Sequence, residues 1–105
     1  SPRGRFPRYN NHLSSELPDC SITIPNAEGL HARPAAKFVK LANRFSSDIW
    51  VRKNDDETNG KSIMGLMMLA AEQGAVITIT AEGEDATAAL SEIKDLVESG
   101  FDKEV

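Results

Sequence analysis

Two stretches with apolar residues at helical spacing, set among segments that alternate polar and apolar, constrain this chain more than anything else in it. Over residues 33–44 and just past them, Ala35, Phe38, Val39, Ala42 and Phe45 recur at three- and four-residue steps, and over 86–99 Ala86, Ala89, Leu90, Ile93 and Val97 do the same. Between and around them the period drops to two. Ser21-Ile22-Thr23-Ile24, Asp48 to Lys53 and Ala75 to Ala81 read as strands, with a weaker one around Thr58–Lys61. A further apolar run, Ile63 to Ala71, follows Ser62 and runs out near Gly74. It reads as a third helix with a serine N-cap and a glycine stop. The expected order is β-α-β-β-α-β-α, an α+β domain with helices on one sheet face.

The chain has 105 residues, room for one small domain. Cys20 is its single cysteine, so an internal disulfide scaffold is excluded and a reducing, cytoplasmic setting is expected. No apolar run approaches the roughly 18 residues that span a bilayer, and no apolar segment follows the N-terminal arginines as in a secretory leader. The expectation is therefore no membrane. The net charge of −4 argues against nucleic-acid binding. That charge is unevenly spread. Residues 31–53 hold six cations against Asp48, net +5, whereas residues 82–105 hold eight carboxylates against two lysines, net −6. Such a field steers one face toward an acidic partner. Residues 1–19, with Pro2, Gly4, Pro7 and Pro18, read as a flexible or disordered tail, and 20–105 as the folded domain.

The domain's one histidine, His31, lies in Asn26-Ala27-Glu28-Gly29-Leu30-His31-Ala32-Arg33-Pro34-Ala35. Pro34 suits a first helical turn and biases Arg33 away from helical angles, so the helix is expected to begin no earlier than residue 33. A helix N-terminus offers unpaired N–H groups and a partial positive charge, which together attract anions. Pro34 donates nothing, which leaves the amides of Ala32, Arg33 and Ala35 as the expected phosphate-binding donors. The Arg33 guanidinium adds a fork suited to phosphate oxygens. A neutral imidazole is a nucleophile near pH 7 and can take a phosphoryl group. The residues alone leave two readings of His31 open, a packing or loop-capping ring and a phosphoryl acceptor. No Cys/His cluster has metal-ligand spacing, so neither metal nor cofactor is expected. So short a chain hardly builds the pocket and supporting shell of a Ser-His-Asp hydrolase.

Gly29 to Ala35 resembles the active-site signature of the histidine phosphocarrier (HPr) family of the bacterial phosphoenolpyruvate-dependent phosphotransferase system. Asn59-Gly60-Lys61-Ser62-Ile63-Met64-Gly65-Leu66-Met67 resembles that family's regulatory-serine segment, and Ala75 to Glu84 its following strand and turn. The likeness covers about residues 20–101. It implies an open-faced β-sandwich, a four-stranded antiparallel sheet with three helices on one face. It also implies a stoichiometric carrier rather than an enzyme, monomeric, that accepts a phosphoryl group on His31 Nδ1 from enzyme I and passes it to an enzyme IIA, with Arg33 orienting the group. Carbohydrate and nitrogen-related branches of the system share these motifs.

Ser62 carries two compatible roles: helix cap, and, by the same resemblance, target of an HPr kinase/phosphorylase in lineages that keep that enzyme. The run after it is too apolar to be buried all round in so small a domain. Ile63, Met64, Leu66, Met67, Met68 and Leu69 cannot all face the sheet, so some of them should form an exposed patch, the alternative being that the methionines are core. The resemblance assigns Ile63, Met64 and Met67 to partner contact, beside Ala36 and Lys40. The basic stripe Arg33, Lys37, Lys40 and Arg44 either rims this patch or is simply solvated. Gly65, costly within a helix, is expected to leave a flat spot for docking.

Overall fold

In a computed structural model, residues 17–105 are described; most of the expected tail therefore lies outside the described residues. The elements are β1 (Asp19–Thr23), α1 (Ala32–Ala42), β2 (Asp48–Lys53), β3 (Asp56–Asn59), α2 (Ile63–Met68), β4 (Val76–Glu82) and α3 (Ala86–Glu98). The order is the one read from periodicity. Boundaries shift at most element ends, and four elements show the shifts that bear on packing or the site. β1 begins at Asp19, paired with Thr80, and the Pro18 carbonyl accepts the Ala81 N–H, so pairing reaches into the stretch assigned to the tail. α1 begins at Ala32 with Arg33 already helical, and it ends at Ala42, with Asn43 to Phe45 in turns. β3 lies at 56–59 rather than 58–61. α2 has six residues and stops well short of Gly74.

The four strands form one antiparallel sheet in the order β1-β4-β2-β3. Their β-branched residues alternate. Ile22, Ile49, Val51, Ile77, Ile79 and Ala81 are buried, while Ser21, Thr23 and Arg52 stay exposed. On that open face the Ser21 and Thr78 hydroxyls share a 3.0 Å hydrogen bond. The buried face meets Phe38, Leu41 and Ala42 of α1, Leu66 of α2, and Ile93, Leu96 and Val97 of α3, joined in one core.

α2 ends early in a left-handed turn that is capped from β2. Ala70 takes a left-handed conformation (φ 54°), and the Lys53 ammonium donates to the carbonyls of Leu69 (3.3 Å) and Ala70 (3.2 Å). A cation thus sits where the helix dipole is negative, supplied by β2 instead of by the helix. Gly65 has a packing reason inside the fold. A methyl group there would run into the Thr58 hydroxyl, so the glycine lets α2 press against β3.

The α1–β2 connection is clamped to α3. The Asp85 carboxylate accepts the backbone N–H groups of Ser46 (2.9 Å) and Ser47 (3.0 Å) and the Ser47 hydroxyl. The Ser47 hydroxyl, then the Ser46 amide, hold the Asp85 carboxyl below its ordinary value of 3.8. A carboxyl depressed on folding contributes stability above the unfolded value and loses it as pH falls through the folded one. Chemical denaturation of the native chain should therefore show its midpoint falling as pH drops below about 4, and Asp85→Asn should flatten that acid limb. Parallel acid limbs for the two proteins would contradict the clamp.

Candidate functional site

The loop before α1 is built by one side chain and one glycine. Asn26 Nδ2 donates to the Gly29 carbonyl (3.0 Å) and to Glu28 Oε1 (3.2 Å), while the Gly29 N–H returns to the Asn26 carbonyl (3.1 Å). Gly29 sits at φ +65°, and a Cβ there would strike the Ala71 carbonyl. That same carbonyl accepts the Leu30 N–H at 2.9 Å, and the Leu30 side chain is buried. From the other side Gln73 Nε2 holds the Pro25 carbonyl at 3.0 Å. The chain therefore arrives at residue 31 with little freedom.

His31 is the N-cap of α1, extended (φ −75°, ψ −174°), exposed, and without a side-chain cap hydrogen bond. Its imidazole is neither packed nor spent on the backbone. The next residues show what the helix end can offer. Ala35 N–H donates to the His31 carbonyl at 2.9 Å, closing the first helical bond, so the expectation that the Ala35 amide binds phosphate is corrected. Pro34 has no N–H. Ala32 and Arg33, at the first two helical positions, are left as the amide donors. Pro34 is tolerated within the helix because the fourth residue before it, Leu30, lies outside. No acidic residue occupies the first turn of α1 to offset its positive end.

A cleft of about 450 Å³ opens here. His31, Ala32, Arg33 and Pro34 form one side. Glu28, Lys37, Gly100 and Phe101 complete it. Lys37, expected at a partner surface, is tethered instead: its ammonium donates to the carbonyls of Phe101 (2.8 Å) and Lys103 (3.1 Å). The C-terminal hook is shaped by two successive left-handed residues, Gly100 (φ 74°) and Phe101 (φ 62°), with the Phe101 N–H returning to the Leu96 carbonyl and its ring buried. Sequence reasoning missed Glu28 and this wall. Gly100 as a helix stop followed by one apolar residue was the available signal for the hook; Glu28 had none beyond lying three residues before His31.

Ser62 is the N-cap of α2, its hydroxyl accepting the Gly65 N–H at 3.0 Å, as the sequence suggested. Around it lies the apolar patch. Met64 and Met68 are 70% and 78% exposed, Ile63 and Met67 just over 40%, and Leu66 is the buried residue of this helix. α2 packs beside α1, whose Ala36 and Lys40 are exposed. Among the described residues, no three His, Cys, Asp or Glu side chains converge to hold a metal, and no helix is long and apolar enough to cross a membrane.

Residues 19–99 match the family model described as the PTS HPr component phosphorylation site. The phosphocarrier protein HPr of Neisseria meningitidis is 51% identical over 81 residues, 77% of this chain and 91% of that protein. The HPr-like protein Crh of Bacillus subtilis is 50% identical over 70 residues, 67% of this chain and 82% of that one. The crystal structure of HPr-C-His from Thermoanaerobacter tengcongensis superposes with a TM-score of 0.80 at 48% identity, covering 85% of this chain and all of the other. The family match and relatives make this chain a phosphocarrier, a protein that relays a phosphoryl group without catalytic turnover. The chain belongs to the HPr family of the phosphotransferase system.

Proposed function

We propose that His31 Nδ1 is the phosphoryl acceptor, charged by phosphorylated enzyme I and discharged to an enzyme IIA in the cytoplasm. The observation that carries this reading is the exposed, unengaged imidazole at the opening of α1, beside the amides of Ala32 and Arg33. The Nδ1 lone pair attacks phosphorus, the bond from phosphorus to the donor's leaving atom breaks, and the electron pair departs with the donor. Nε2 keeps the ring proton. The two amides and the Arg33 guanidinium then meet the phosphoryl oxygens. A helix terminus contributes only ~0.3–2 kcal/mol to such an anion, which orients the group without trapping it. Incubation with phosphoenolpyruvate and enzyme I should add one acid-labile phosphate per chain. An acid-stable ester, or a second equivalent, would count against the assignment.

Ile63, Met64 and Met67, with Ala36 and Lys40, form the surface we assign to both partners. Adaptable methionines suit a face that must seat two different proteins. Lys37 contributes its charge from its tethered position. The core closes within one chain, which supports a monomeric carrier. Ser62 is the regulatory site, the target of an HPr kinase/phosphorylase. A phosphate there adds about −1.5 to −2 charges at the edge of the patch and opposes docking on an acidic partner. Ser62→Asp should slow charging of His31 by enzyme I about tenfold. Initial rates of phosphoryl uptake measure this, and a rate equal to that of the native chain would remove the regulatory role.

A further inference from the structure

We propose that Glu28 is the counter-charge that keeps the phosphoryl group on His31 transferable, raising the free energy of the phosphorylated carrier through its carboxylate in the same cleft. The inference rests on His31 as the acceptor. Its geometry is independent of that reading. Glu28 lines the cleft with His31 and Arg33, and its carboxylate is held in the loop by Asn26 Nδ2 at 3.2 Å, the same amide that bonds the Gly29 carbonyl. The carboxylate is thus a fixed part of the turn that presents the imidazole. It is ionised near neutral pH. The Asn26 amide first, then its own backbone N–H, and further the charges of Arg33 and the His31 ring, hold it below the ordinary carboxylate range.

The charge balance gives the reason for such a group. Without Glu28 the cleft would offer two open amides and Arg33 to an arriving dianion, with the charge of the tethered Lys37 behind them and no acid in the first turn of α1. That is a phosphate trap, favourable to loading and unfavourable to release. A carrier must do both, so its loaded state has to lie close in free energy to donor and acceptor. One carboxylate in the same cleft opposes the cations and brings the loaded state up.

Glu28→Gln isolates the charge, because the glutamine oxygen still accepts from Asn26. The test is the equilibrium distribution of radiolabelled phosphate between enzyme I and the carrier, for the native chain, Glu28→Gln, Glu28→Ala, Glu28→Asp and His31→Ala. Both neutral variants should move the distribution toward the phosphorylated carrier about three- to tenfold, the effect of a unit charge on a dianion across an exposed cleft. Glu28→Asp should stay within about twofold of the native chain, and 1 M salt should shrink the shift seen with Glu28→Gln. An unshifted Glu28→Gln overturns the counter-charge while the acceptor assignment stands. A Glu28→Asp that shifts as far as Glu28→Gln overturns it as well, since shape would then matter and not charge. Label on His31→Ala overturns both readings.

Discussion

His31→Ala is expected to take up no phosphate from phosphoenolpyruvate and enzyme I, and to fold as the native chain does. Loss should be complete because nothing else at the opening of α1 is a nucleophile: Ala32, Arg33 and Pro34 supply donors and shape only. Retention of the fold follows from the local structure. The His31 side chain caps no amide, its backbone is extended at angles that alanine also adopts, and the ring is exposed, so little packing and no side-chain cap is removed. The His31 carbonyl, which accepts the Ala35 N–H, belongs to the main chain and survives. The melting temperature should therefore change by no more than about 2 °C, within the small effect of a surface substitution. Intact-mass measurement under alkaline conditions, where a phosphohistidine persists, reads the first result and thermal unfolding the second. Undiminished phosphorylation of the variant would move the acceptor away from this helix.

Gly29→Ala is expected to cost about 2–4 kcal/mol of stability, the largest effect of any single methyl group added around the site. Two terms act together. The position lies at φ +65°, where an alanine is strained, and the added methyl would strike the Ala71 carbonyl. That carbonyl cannot yield without stretching the Leu30 N–H bond it accepts, which is what anchors the loop to the segment after α2. Movement of Leu30 moves His31. The variant should thus unfold at a lower urea concentration and also charge more slowly than its residual folded fraction explains. A Gly29→Ala protein as stable as the native chain would show that the loop does not need this close approach.

Much of this was legible in the sequence, for reasons that differ from element to element. The faces of α1 and α3 were readable because burial against a sheet imposes a 3.6-residue period, and every apolar position named on α3 is buried. His31 was readable because Pro34 marks a helix start and Gly29 a turn. Misplaced boundaries arose where tertiary contacts decide. The apolar run from Ile63 suggested a helix reaching toward Gly74, but Lys53 reaches across from β2 to close it at Met68. α1 was expected to open no earlier than Arg33, because that residue precedes a proline, yet it opens one residue sooner at Ala32. The Ala35 amide bond to His31 closes its first turn, and that same bond removes Ala35 as a donor. Lys37 read as one more cation of an exposed stripe, because no local pattern shows that its ammonium meets carbonyls 64 and 66 positions later.

That long-range tie fastens α1 to the stretch of chain beyond α3. A fragment ending before Gly100 would still present the reactive ring and its helix but would lack the hook that backs the cleft, and Lys37 would be left with nothing to grip.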